Sequence, residues 1–205
     1  MLRSLCYASL VRPDSELVSL ARRLFRVLGD TEGVQVALIG ALARNLYAAP
    51  RATEDIDFAM IVNNKAAYAS CADRLAEMGF ALRQEKGDPP EQYPSIAVFE
   101  TEETKLDLLI AKTAFEHQAV RESLLLGDGE DAIAAVRPED LIVYKLIANR
   151  TRDREDIAAV IERLIAREQA IDWRHIEEYA SAFGIEQRAE WARELARNVE
   201  RGLGR

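Results

Sequence analysis

The chain is 205 residues long, with 49% hydrophobic and 30% charged residues, a balance that excludes wholesale disorder and bounds it at one domain or one domain with a modest second unit. Its 27 basic and 35 acidic side chains leave a net charge of −8 and a pI of about 5.0, which excludes a protein that coats nucleic acid by bulk positive charge; any such contact needs a local basic patch. The longest apolar runs, such as Val36 to Ala43 and Leu108 to Ala111, are too short to span a bilayer.

At the N-terminus, Arg12, Asp14 and Glu16 arrive too soon for the apolar core of a secretory signal. Cys6 and Cys71 are isolated in sequence, and two free thiols in a reducing cytoplasm are expected. His117 and His175 stand far apart, which argues against a zinc site.

Pro13-Asp14-Ser15 opens a helical pattern to about Leu28, with Leu17, Leu20, Leu24 and Leu28 at helical spacing and Gly29 as the stop. Val34 to Ile39 reads as a buried strand bounded by Gly33 and Gly40, and Ala41 to Ala48 suits a short helix. A strand is expected over 55–62, a helix over 65–78 ended by Gly79, and a short strand over 80–84. Gly87 to Pro94 reads as a loop. Strands over 95–100 and 105–111 form a pair joined by the polar turn Thr101 to Thr104, followed by a helix over 113–122 and a loop at Gly127-Asp128-Gly129. Pro138-Glu139-Asp140 is a helix start, with proline in the first turn and acids at the positive end of the dipole. Helices over 138–149, 154–168, 172–183 and 185–200 complete the chain. The expected organisation is an α/β (α+β) half, 1–136, and a helical unit, 137–205, packed on it.

Chemistry concentrates in Arg51-Ala52-Thr53-Glu54-Asp55-Ile56-Asp57-Phe58. Strand alternation places Asp55 and Asp57 on one face and Ile56, Phe58 and Met60 on the other. An early start to the extended segment adds Thr53 and Arg51 to the aspartates' side. Adjacent carboxylates repel unless a cation neutralises them, and Mg²⁺ is a hard ion that takes carboxylates plus substrate phosphates. Solvated charge at a strand edge is the plainer alternative. Upstream, Leu38-Ile39-Gly40-Ala41 runs a strand through a small-residue turn into a helix, a place where backbone N–H groups approach phosphate. Downstream, Asp107 sits between leucines in an apolar strand, costly to bury unless paired or metal-bound; the alternative is an edge strand that turns it to solvent.

Gly40-Ala41, Asp55-Ile56-Asp57 and the later Asp107 resemble the nucleotidyltransferase superfamily pattern: an apolar residue, Gly-Gly or Gly-Ser, about nine to thirteen residues, Asp-x-Asp, and a third acid on a later strand. Val36 to Tyr47, Pro50 to Phe58, Arg137 to Ala148 and Arg152-Asp153-Arg154-Glu155-Asp156-Ile157 resemble the AbiEii/MenT-like branch, the AbiEii toxin family. The resemblance covers about 34–160. It implies a mixed sheet flanked by helices, and transfer of a nucleoside monophosphate from an NTP to an acceptor hydroxyl. Asp55 and Asp57 would hold Mg²⁺ (or Mn²⁺) on the nucleotide phosphates. Asp107 would complete the metal site or activate the attacking hydroxyl. Gly40, Ala41, Arg51, Thr53 and Lys145 would contact the nucleotide, Lys145 at the triphosphate. Asp153 or Asp156 matches the acid of the branch's Arg-Asp-x-x-Asp motif. Some members are toxins that modify tRNA or block growth, so the implied acceptor is RNA or protein and the implied partner an antitoxin protein, all cytoplasmic and without a membrane.

Two positions depart from the pattern: Ala41 replaces the second Gly or Ser, and Ala48 stands where the branch often has glycine. The rival readings are a non-catalytic nucleotide- or partner-binding module and a small-molecule (antibiotic-type) nucleotidyltransferase. The basic run Asn149 to Arg154 could meet phosphates or pair with Glu155, Asp156 and Glu162. By the residues alone, Lys145 within Leu141 to Ile147 is expected to snorkel to the surface, and Trp173 and Trp191 to pack between helices.

Overall fold

The computed structural model describes residues 16–87 and 93–204. Cys6, the expected helix start at Pro13 to Ser15 and most of the Gly87 to Pro94 loop lie outside the described residues. The chain divides into two compact units, residues 1–43 with 51–136, and residues 44–50 with 137–205.

The first unit is built on a seven-stranded mixed sheet. Its strands are β1 (Val34–Leu38), β2 (Asp55–Val62), β3 (Ala81–Lys86), β4 (Ile96–Glu100), β5 (Lys105–Ile110), β6 (Leu124–Leu126) and β7 (Ile133–Ala135). Their spatial order is β3-β4-β5-β2-β1-β7-β6. β1 is antiparallel to β2, while β2 runs parallel to β5 and β1 parallel to β7. Helices α1 (Glu16–Gly29), α3 (Lys65–Glu77) and α4 (Ala114–Arg121) belong to this unit, and α2 (Gly40–Tyr47) begins in it.

The core follows from period-two patterning in the two central strands. The register Ile56↔Leu106, Phe58↔Leu108 and Met60↔Ile110 puts six apolar side chains on one face, and all of them are fully buried. That burial drives the β2–β5 pairing. It leaves Asp55↔Lys105 and Asp57↔Asp107 opposite one another on the other face. α1 buries Ala21, Leu24 and Leu28. Thr113 and Glu116 close a capping box at the start of α4. Cys71 is a free, buried thiol.

β6 and β7 were absent from the sequence expectations. Each is three residues long, too short to show a period, and β7 is held by tertiary pairing with β1 through Leu38↔Ala135. The edge-strand alternative for Asp107 fails, because β5 lies between β4 and β2.

The second unit holds α5 (Pro138–Ala148), α6 (Thr151–Ala166), α7 (Trp173–Ala182) and α8 (Glu186–Gly202). α5 ends at Asn149 in the left-handed region, φ 50°, whose N–H donates to Lys145 O. α6 begins three residues before its expected start. The Asp153 carboxylate accepts the Arg150 backbone N–H at 3.0 Å and so stabilises an extra first turn. Among the described residues no helix is long and apolar enough to cross a membrane.

Candidate active site

β1 delivers the chain to Gly40 beside β2. The Ile39 N–H donates to Asp57 O at 2.9 Å, extending the antiparallel pairing into the turn. Gly40 then adopts φ +65°. A Cβ there would fall 2.8 Å from Asp57 Cβ and closer still to its carboxylate. Both the backbone angle and the contact demand glycine. The next N–H, on Ala41, donates to the Asp57 carboxylate. Turn and aspartate thus form one unit.

Asp55, Asp57 and Asp107 gather on one face through the β2–β5 register. Burial, then the neighbouring Asp107 and Asp55 charges, hold the Asp57 carboxyl above its ordinary value, against the Ala41 N–H and Lys105. Lys105, which was not among the expected site residues, enters the cluster: its Nζ lies 2.6 Å from Asp107 Oδ2. Burial works against the Lys105 ammonium, but the Asp107 hydrogen bond and the three carboxylate charges outweigh it and raise its pKa. Its place two residues before Asp107 on a strand is the signal that could have found it. The other Asp107 oxygen, Oδ1, is buried and has no hydrogen-bond partner.

Among the described residues no group of three or more His, Cys, Asp or Glu side chains forms a ready-made metal cage. The donor set nevertheless fits a hard divalent ion. Its atoms are carboxylate oxygens, one of them buried and partnerless, and their mutual repulsion is what a cation relieves. Thr53 and Arg51 lie on the irregular segment before β2, with Thr53 Oγ1 3.4 Å from Asp55 O.

The second unit collects the remaining expected residues. Lys145 is buried, and its Nζ lies 2.7 Å from Asp156 Oδ2 and 3.5 Å from Asp153 Oδ1. The expected snorkelling is corrected here: α6 supplies two buried carboxylates, so the ammonium is neutralised inside instead of reaching solvent. Arg44, also absent from the expectations, lies with Nε 3.2 Å from Asp156 Oδ1. Arg150 pairs with Asp153 at 2.8 Å. Hydrogen bonds from the Arg150 side chain and backbone and the charge of Lys145 overcome burial and hold the Asp153 carboxyl below its ordinary value. The partners found for the basic run thus differ in part from the acids expected: Arg154 donates to Asn149 Oδ1 and lies 5.6 Å from the Trp191 ring centre.

The mixed sheet, with a Gly40 turn locked onto the first of two facing aspartate strands, defines a nucleotidyltransferase fold. A model of the family described as "Nucleotidyl transferase of unknown function (DUF2204)" matches residues 18–197, and the chain belongs to that family. Among solved structures, a putative nucleotidyltransferase from Thermotoga maritima aligns with a TM-score of 0.50 at 15% identity, covering 73% of this chain and 94% of that one. ANT(2")-Ia in complex with adenylyl-2"-tobramycin aligns with a TM-score of 0.49 at 15% identity, covering 88% and 98%. A putative nucleotidyltransferase from H. pylori aligns with a TM-score of 0.43 at 19% identity, covering 93% and 98%. No curated protein matches the sequence.

Proposed function

We propose that this nucleotidyltransferase is Mg²⁺-dependent, takes an NTP, and transfers its nucleoside monophosphate to a hydroxyl of RNA or protein. The observation that carries the reading is the facing Asp57–Asp107 pair with a buried, partnerless oxygen beside a turn that only glycine can make. Asp55, Asp57 and Asp107 would hold the metal, which supplies charge neutralisation for the phosphates. Gly40 and Ala41 bring the backbone to the phosphates, with Thr53 and Arg51 beside them. Asp107 takes the proton of the acceptor hydroxyl as its oxygen bonds to the α-phosphorus and pyrophosphate leaves. Lys145, held by Asp153 and Asp156, contributes positive charge for the triphosphate.

The motif residues further support an AbiEii/MenT-like toxin acting in the cytoplasm and countered by an antitoxin protein. Incubation of the purified chain with each α-labelled NTP, Mg²⁺ and total RNA tests the reaction. Label should enter RNA or the protein itself and vanish in Asp57→Ala. Growth arrest on induction in a bacterial host, relieved by the same variant, tests the toxin role.

A second reading, a non-catalytic nucleotide-binding module, is favoured by Ala41, which lacks the phosphate-bonding hydroxyl of serine. It predicts Mg²⁺-dependent nucleotide binding with no transfer in either protein.

A further inference from the structure

We propose that Lys105 is a resident counter-ion of the carboxylate cluster that competes electrostatically with a divalent cation, so that this lysine holds the metal affinity of the nucleotide-free protein low. The inference rests on the metal role in the proposed function.

Two observations carry it. The first is placement. Strand alternation puts Lys105 on the Asp107 face of β5, and the parallel register sets it opposite Asp55 while Asp57 faces Asp107. One ammonium therefore stands among three carboxylates. The second is the division of the Asp107 carboxylate. Oδ2 is engaged by Lys105 Nζ at 2.6 Å, whereas Oδ1 is buried without a partner. A carboxylate oxygen that accepts from an ammonium is a weaker donor to a metal, and a cation a few ångströms from a second cation is repelled by it. A metal can reach Asp107 through the free Oδ1, but it then sits against the Lys105 charge, and recruiting Oδ2 as well breaks the Lys105–Asp107 pair. The lysine can leave at little cost, because its side chain is 38% exposed and its stem can carry the charge to water. A released ammonium beside the metal is then available to an anionic phosphate, which would couple nucleotide and metal loading.

The test is Mn²⁺ titration of the full chain without nucleotide, reading free Mn²⁺ by electron paramagnetic resonance. Lys105→Met should bind Mn²⁺ about tenfold more tightly than wild type, the scale of removing one nearby charge from a partly exposed site. Lys105→Arg, which keeps the charge, should stay near wild type. Circular dichroism and metal-free unfolding verify the fold, and Lys105→Gln carries the same expectation should the methionine variant fail to fold. Unchanged or weaker Mn²⁺ binding on charge removal, with wild type binding normally, overturns the counter-ion role and leaves the metal reading intact. No Mn²⁺ binding by wild type or variant overturns both.

Discussion

Gly40 and Asp57 touch so closely that no side chain fits between the turn and the strand. The glycine has φ +65°, and an added Cβ would overlap the aspartate side chain. Gly40→Ala should therefore destabilise the fold by about 1 to 3 kcal/mol for the backbone angle alone, with the overlap adding to it. It should also remove nucleotidyl transfer, because Ala41 can no longer aim its N–H at Asp57. Urea unfolding and the labelled-NTP assay read the two effects separately.

Asp57 gives a pH signature. Burial and then the Asp107 and Asp55 charges raise its folded-state pKa above the ordinary 3.8. The native state holds the proton more tightly than the unfolded chain, so Asp57 favours folding below 3.8, and this contribution is lost as pH rises through the folded value. Metal-free wild type should lose stability over that window more than Asp57→Asn does. At neutral pH the variant should be at least as stable as wild type and inactive. Thermal unfolding in chelator from acid to neutral pH checks this.

His175 titrates with the same sign for a different reason. Its Nε2 lies 2.6 Å from the fully buried Asp140 carboxylate. That hydrogen bond raises the imidazole pKa above the ordinary 6.5, against burial. The stabilisation is complete below 6.5 and lost as pH rises through the folded value. His175→Gln should cost about 1.5 to 3 kcal/mol in mild acid, and the gap to wild type should narrow as pH rises above the folded pKa. Denaturant unfolding across that range measures the gap.

Lys145 is the hub of a buried ionic cluster with Asp153 and Asp156. Lys145→Met should destabilise the helical unit by about 3 kcal/mol, since it leaves excess negative charge buried. Adding Asp156→Leu would remove one carboxylate but also the acid facing Arg44 Nε, so the double variant should recover only part of the loss. A double-mutant cycle in urea gives the coupling.

The strands and helices with long apolar periods were legible from residue order alone: β2 begins and ends where Asp55 to Val62 places it, and Gly29 and Gly79 stand where the first and third helices stop. So was the Asp55/Asp57 face, because alternation in a strand is local geometry. β6 and β7 were not legible, since three residues carry no period and their order depends on partners distant in sequence.

Residue order thus determined the fold class, the two aspartates on one face and the likeness to nucleotidyltransferases, all of which follow from local backbone geometry and short-range pattern. Tertiary folding decided the partners. The β2–β5 register brought Asp107 opposite Asp57 and Lys105 into the cluster. The approach of α6 turned Lys145 from an expected surface lysine into a buried ion pair with Asp156. Charge pairing between segments far apart in the chain depends on which faces hydrophobic burial brings together, and that is a property of the whole fold rather than of any one stretch.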